Sequence, residues 1–132
     1  GMTALAFNTR RDVFKKREVR QALITLLDAE WINRTLFDGL FKRTQSFFER
    51  SYLSAHGKPA SAREKELLAP FASEVRAEIL DGTYNFPASD GSGQNRENQR
   101  SAFTLLQSAG YALQGGRLTE TETGKPLTFE LL

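Results

Sequence analysis

Apolar positions recur along this chain at two periods, and the switches between them divide it into elements. Leu5 and Phe7 alternate with polar neighbours, so residues 4–8 read as a short strand. Residues 8–12 form a polar turn. From Glu18 to Phe37 the period becomes helical. At 100° per residue, Val19, Ala22, Leu23, Leu26 and Phe37 form one apolar arc, which Ile24, Leu27 and Trp31 widen past half the circumference. This predicts one long helix over residues 18–37, covered on more than one side. Gln21, Thr25, Asp28 and Thr35 make its wet strip. Glu30 and Arg34 stand at i,i+4 in the favourable order, worth about 0.3–0.5 kcal/mol if exposed.

Gly39 closes or loosens that helix. Residues 40–53 are rich in aromatics and fit either a helical turn or an extended crossing. His56-Gly57-Lys58-Pro59 is a loop. Ser61 with Glu64 three positions on is a capping-box pattern, opening a helix through Glu66 and Leu68 that Pro70 interrupts. Phe71, Val75 and Ile79 at i, i+4, i+8 continue it over residues 71–80, and Asp81-Gly82 stops it. Residues 83–95 are a coil of Pro, Gly, Ser, Asn and Asp, and a coil this long in a compact domain is functional or pinned by its neighbours.

A further helix spans about residues 96–109, with Ala102, Leu105, Leu106 and Ala109 as its buried face and Phe103 beside them. Gly110 suits the left-handed position after a helix end, from which Tyr111 can fold back on Leu106. Gly115-Gly116 then reads as the turn of a hairpin, and Gly124-Lys125-Pro126 as a second turn. The last strand, residues 127–132, puts Leu127, Phe129 and Leu131 on one face. The expected class is α+β: three to four helices, with short strands at both termini forming a small sheet.

Composition narrows the chemistry. The chain has 132 residues, the size of one domain or part of one. Eighteen Lys and Arg against sixteen Asp and Glu leave a net charge of +2, small for a protein that sheathes a phosphate backbone. No cysteine is present, so disulfides and thiolate chemistry are excluded. A single histidine, His56, excludes multi-histidine metal sites and leaves a Ser-His-Asp triad dependent on that one residue. No stretch approaches the roughly 18 apolar residues of a membrane span. Gly1 before Met2 reads as an expression scar, leaving residues 3–132 as a single domain. A strand at each terminus needs a neighbour for its backbone groups: either the two ends pair with each other or are covered by neighbouring molecules, or the chain is a piece of a longer protein.

Several constellations invite a function. Arg10, Arg11, Lys15, Lys16, Arg17 and Arg20 form a basic cluster that could meet a phosphate backbone. Asp12 and Glu18 interrupt it and no aromatics suited to base stacking interleave it, so a solvated helix start or a partner-domain contact fits better. Asp90-Gly91-Ser92-Gly93 before a helix resembles an anion-cradling loop, but no strand feeds it and no Lys-Ser or Lys-Thr follows. His56 has no partner in sequence reach. The pairs Glu64 with Glu66 and Glu120 with Glu122 lie on wet elements, where carboxylate spacing carries no acid/base meaning. No set of residues supports catalysis, and none calls for a cofactor or a metal. The aromatics Phe37, Phe41, Phe47, Phe48 and Tyr52 could line a cleft, although Phe37 and Phe41 at i,i+4 suit core packing, each buried ring being worth about 1.5–3 kcal/mol.

The order of motifs then becomes informative. Ala6-Phe7-Asn8-Thr9 closes the first strand. Val19-Arg20-Gln21-Ala22-Leu23 and Asp28-Ala29-Glu30-Trp31-Ile32 follow in one helix. Leu105-Leu106-Gln107-Ser108-Ala109-Gly110-Tyr111 and the closing Leu127-Thr128-Phe129 come later. Together they resemble the extracellular solute-binding proteins of family 5, which include oligopeptide, dipeptide and nickel binders of ABC importers. Arg34 to Gly39, Arg43 to Glu49 and Asp90 to Gly93 are similar to the branch associated with uptake of microcin C and related peptides. The resemblance covers nearly all of residues 4–132. It implies a two-lobed parent of the type II periplasmic binding fold, several times longer, of which this stretch is the first part of the second lobe.

The same resemblance implies a periplasmic protein that captures peptides for an inner-membrane ABC permease, without catalysis and without nucleic acid. Its peptide lies between this piece and the remaining lobe of the same chain. Ala6 and Phe37 stand where some oligopeptide binders carry an acidic and a basic residue, and Asp12 and Lys16 where many relatives have proline and aspartate. Arg20 and Asp28 are therefore assigned structural roles, and Arg43, Phe47 and Phe48 are the candidates for the substrate cleft. The alternative from another class is a small helical nucleic-acid-binding accessory module using the Arg10–Arg20 patch.

Overall fold

A computed structural model describes residues 3–131. Gly1 and Met2, read as a scar, and Leu132, the expected end of the last strand, lie outside the described residues. In chain order the elements are α1 (Arg17–Leu26), α2 (Ala29–Leu36), α3 (Ala62–Leu68), α4 (Ala77–Leu80), α5 (Arg96–Ser108), β1 (Tyr111–Gln114) and β2 (Arg117–Glu120). The class is α+β. The chain divides into two compact units, residues 3–41 with 87–131, and residues 42–86. No helix among the described residues is long and apolar enough to cross a membrane.

The core lies in the first unit, where α1 packs on α5. Val19 and Ala22 are fully buried against Ala102, Leu106, Ala109 and Tyr111, with Val13, Leu23, Leu105, Leu118 and Leu127 packed around them. Three alanines at this seam let the helix backbones approach closely, so the core is small and tight. Asn95 caps α5 by accepting from the Asn98 amide at 3.0 Å, and Gly110 leaves the helix at φ 89°. Tyr111 joins Leu106 in the core, as its position after the glycine predicts.

The sheet is the hairpin β1–β2, antiparallel, with Tyr111 opposite Glu120 and Gln114 opposite Arg117. Gly115 (φ 56°) and Gly116 (φ 79°) supply the two positive φ angles that a tight hairpin turn demands. The expected terminal strands are not ladder strands among the described residues. The last segment touches β2 through one bridge, Thr119 to Pro126, and a bond from the Leu127 amide to the Leu118 carbonyl at 2.8 Å. Pro126 has no N–H to extend the ladder. At the other end, Phe7 meets Phe14 at 5.3 Å and Phe14 meets Phe129 at 5.6 Å. Side-chain packing on the buried Phe14 ring joins both extended segments, and the few backbone bonds to β2 help to hold the last one.

The predicted helix over residues 18–37 is two helices. Leu27 (ψ 103°) and Asp28 (ψ 80°) are not helical, and Asp28 caps α2 by accepting from the Trp31 amide at 2.9 Å. The apolar period runs on across this break and so conceals it. Phe37 falls past the end of α2 and is 45% exposed, outside the arc assigned to it.

In residues 42–86 no side chain is buried. The capping box forms as predicted: Ser61 Oγ accepts from the Glu64 amide and Glu64 Oε2 accepts from the Ser61 amide at 2.7 Å. Beyond Pro70 the predicted helix over residues 71–80 shrinks to a 3-10 turn (Ala69–Phe71) and the four residues of α4, because Arg76 is extended at ψ 144°. Gly82 (φ 74°) then closes against Lys58 and Pro59, next to a bond from the Ala60 amide to the Leu80 carbonyl at 2.8 Å.

Candidate functional site

Of the three predicted cleft residues, Arg43 is half-buried, while Phe47 and Phe48 are 84% and 59% exposed. The stretch that carries the two phenylalanines is a run of turns, with Arg50 at φ 66°, in place of the helical turn or extended crossing that the sequence suggested. Phe37 and Phe41, expected in the core, are both exposed and meet edge-to-face at 5.0 Å. Asn33 clasps the backbone of Phe41, donating to its carbonyl and accepting from its amide at 2.9 Å. This fixes the direction in which the chain leaves α2.

Arg43 is held by residues that periodicity does not single out. Its guanidinium lies 4.9 Å from the centre of the Phe86 ring, and the Phe86 amide donates to Gln45 Oε1 at 2.9 Å. Tyr84 meets Phe86 edge-to-face at 5.8 Å, and the Arg76 guanidinium covers Tyr84 at 4.5 Å. Cation–ring contacts of this kind contribute about 0.5–1 kcal/mol each when exposed. The only hint in the sequence is the alternation Tyr84-Asn85-Phe86 inside the coil, which puts both rings on one side.

The loop that resembles an anion cradle contributes one amide, that of Gly93, to a set of donors around the chain's own Asp28. One carboxylate oxygen accepts from the Trp31 amide and the Ser89 hydroxyl, and the other accepts from the Gly93 amide at 2.9 Å. Ser89 Oγ in turn accepts from the Gly91 amide at 2.9 Å, and Arg34 donates to the Gly91 carbonyl. Burial pushes the Asp28 carboxyl up, but the bonds from Ser89, Trp31 and Gly93 and the charge of Arg34 outweigh it, so its pKa is lowered. The notch beside it, lined by Thr25, Asn95, Asn98 and Gln99 among others, measures about 40 Å³. That is room for a water or two.

Over residues 1–132 the chain matches the family described as bacterial extracellular solute-binding proteins, family 5, middle region. The chain belongs to that family.

Within family 5 the chain is 49% identical over 131 residues to binding protein BMEII0691 of Brucella melitensis, 99% of this chain and 21% of that protein. It is 42% identical over 132 residues to the peptidoglycan-binding protein YepA of Agrobacterium fabrum, 100% of this chain and 21% of YepA. It is 37% identical over 131 residues to the probable peptide-binding protein YejA of the same organism, again 99% and 21%. The chain thus spans about a fifth of the length of the curated relatives it matches. Family 5 is a family of binding proteins.

Several of the remaining candidates of this family-5 chain bond within the chain itself. In the basic cluster, Lys15 pairs with Asp12 at 2.7 Å. Lys16 pairs with Glu120 at 2.7 Å and donates to the Ala109 carbonyl at 2.8 Å. Arg20 donates to the Phe14 and Lys15 carbonyls, closing the turn ahead of α1. His56 does have a partner: its Nε2 hydrogen-bonds Asn85 Oδ1 at 2.8 Å, which ties the loop to the coil. Glu64 is taken up in its capping box and Glu120 by Lys16. Among the described residues no three acidic or histidine side chains come together as metal ligands.

Proposed function

We propose that this chain is the first part of the second lobe of a periplasmic peptide-binding protein that delivers its cargo to an inner-membrane ABC permease. The observation that carries this reading is the family-5 match over the whole chain, supported by relatives named for binding peptides and peptidoglycan. The cargo is an oligopeptide or a microcin-like peptide, gripped between this piece and the remaining lobe of the same polypeptide. Grip requires exposed apolar surface and an oriented charge. Phe47 and Phe48 offer the first and Arg43 a charge beside them, which supports assigning these three to the cleft.

The test is thermal unfolding of the full-length protein with a panel of oligopeptides, including murein-derived peptides. A ligand at 100 times its Kd stabilises the bound state by about 2.7 kcal/mol, a shift easily read. A rise in midpoint with peptide, absent for nucleic acid, is expected. No rise with any peptide, or a rise with DNA or RNA that collapses steeply with salt, overturns the reading.

A further inference from the structure

The chain runs out to residues 42–86 through α2 and residues 37–41, and it returns through the coil of residues 87–95. The two connecting stretches are tied together by side chains. Asp28 accepts from the Ser89 hydroxyl and from the Gly93 amide at 2.9 Å. The Trp31 ring lies against Gly93, where a Cβ would stand 3.0 Å from the indole nitrogen. Arg34, further along α2, donates to the Gly91 carbonyl. Inside residues 42–86, the Phe86 amide donates to Gln45 Oε1 at 2.9 Å, so the points of departure and return stay together.

These ties are polar, and α2 has no buried side chain. Burial seats α1 on α5, but it does little to place α2. Hydrogen bonds are directional and set an angle as well as a distance. The outer ends of both stretches are anchored too. Asn33 holds the Phe41 backbone on the outward side, and on the return Asn98 Nδ2 donates to the Ala88 carbonyl at 3.0 Å, which fastens the coil to α5.

We propose that Asp28, seconded by Arg34, is a positioning residue: it locks α2 to residues 89–93 and so fixes the two points between which residues 42–86 are strung. Affinity for the cargo then depends on side chains that never touch it. This rests on the reading of Phe47 and Phe48 as cleft residues. A protein with only a fraction of its molecules in the competent arrangement binds more weakly in proportion to that fraction.

The experiment uses the full-length protein and two readouts. D28N is the informative variant, because asparagine still caps α2 but presents its amide group, a donor, where the second carboxylate oxygen accepted from Gly93. Spin labels on T35C in α2 and S101C in α5, both exposed positions, report the distance between the helices by electron–electron double resonance. The distance distribution is narrow in the wild type and broadens in D28N and R34Q. R34K keeps it narrow, since one donor suffices for the Gly91 carbonyl. Titration calorimetry, well below each variant's thermal midpoint, uses the oligopeptide that most stabilises the wild type in the unfolding panel. Its Kd rises about tenfold in D28N and several-fold in R34Q, and R34K recovers it. A purely structural clasp lowers the midpoint and leaves both readouts unchanged, which overturns the inference. Broadening without a loss of affinity, or a loss of affinity at unchanged distances, overturns it as well. If D28N does not fold, R34Q at an exposed side chain decides the matter. Absence of any peptide binding by the wild type overturns the proposed function, and the distances alone then decide whether Asp28 positions α2.

Discussion

The Gly93 amide donates to the Asp28 carboxylate at 2.9 Å across 65 positions of sequence. One side chain therefore breaks the α1–α2 run, caps α2 and pins the coil ahead of α5. Asp28→Ala should destabilise the protein by about 2 kcal/mol, a cap being worth about 1 and charge-assisted bonds supplying the rest. Chemical denaturation reads the loss.

The same site sets a pH dependence. The folded Asp28 carboxyl has a lowered pKa, so its contribution is complete above the unfolded range near about 3.9 and fades as pH falls through the lower folded value. In acid titrations, the stability gap between wild type and Asp28→Asn should close below about pH 4. A gap that holds constant to still lower pH would show the charge to be irrelevant.

Lys16 and Glu120 give a second, oppositely signed pair of limbs. The hydrogen bond with Glu120 raises Lys16, and the bond from Lys16 lowers Glu120. The lysine's share is complete below about 10.4 and lost as pH rises through its raised value, and the glutamate's is complete above about 4.3 and lost on acidification. Lys16→Met should lower the thermal midpoint at neutral pH, and the difference should narrow at about 1 M salt, where such exposed pairs are screened.

Gly82→Ala should be poorly tolerated for two separable reasons. A Cβ there would stand 2.3 Å from the Lys58 carbonyl carbon, a backbone atom, and the residue sits at φ 74°. Gly57→Ala carries the same kind of φ strain, at 73°, with nothing within 4 Å of the new Cβ. The strain costs about 1–2 kcal/mol in both. Denaturant midpoints should therefore place Gly82→Ala well below Gly57→Ala, and equal midpoints would remove the steric argument.

Core and cleft should separate cleanly under mutation. Val19 is fully buried, and Val19→Ala should cost about 2 kcal/mol or more of stability. Phe47 is 84% exposed, so Phe47→Ala should move stability by no more than about 0.5 kcal/mol while weakening peptide binding by the full-length protein. Unfolding and binding isotherms on the two variants test the split.

Where chemistry is local, the sequence was a good guide. The Ser61–Glu64 box, the Gly115-Gly116 turn and the Gly110 exit each need only neighbours within a few residues, and each forms as read. The break at Asp28 was hidden because aspartate is as natural on a wet helical strip as at a cap, and the apolar period runs through it. The terminal segments are not ladder strands because alternation says nothing about who supplies hydrogen bonds; the first meets Phe14 through Phe7, and the last meets it through Phe129 beside a few backbone bonds to β2. At the candidate site, Arg43 was visible as a charge among aromatics. Phe86, Tyr84 and Arg76 were not, since their meeting depends on a coil whose path is set by Gln45 and Glu78, distant or unremarkable in sequence.

Residues 42–86 keep their shape with no buried side chain. Their amide protons should exchange quickly with deuterated solvent, whereas those of α1 and α5 stay protected. A cargo settling on such a surface would stiffen it, and association should release heat while it loses disorder, a calorimetric signature unlike that of a preformed greasy pocket.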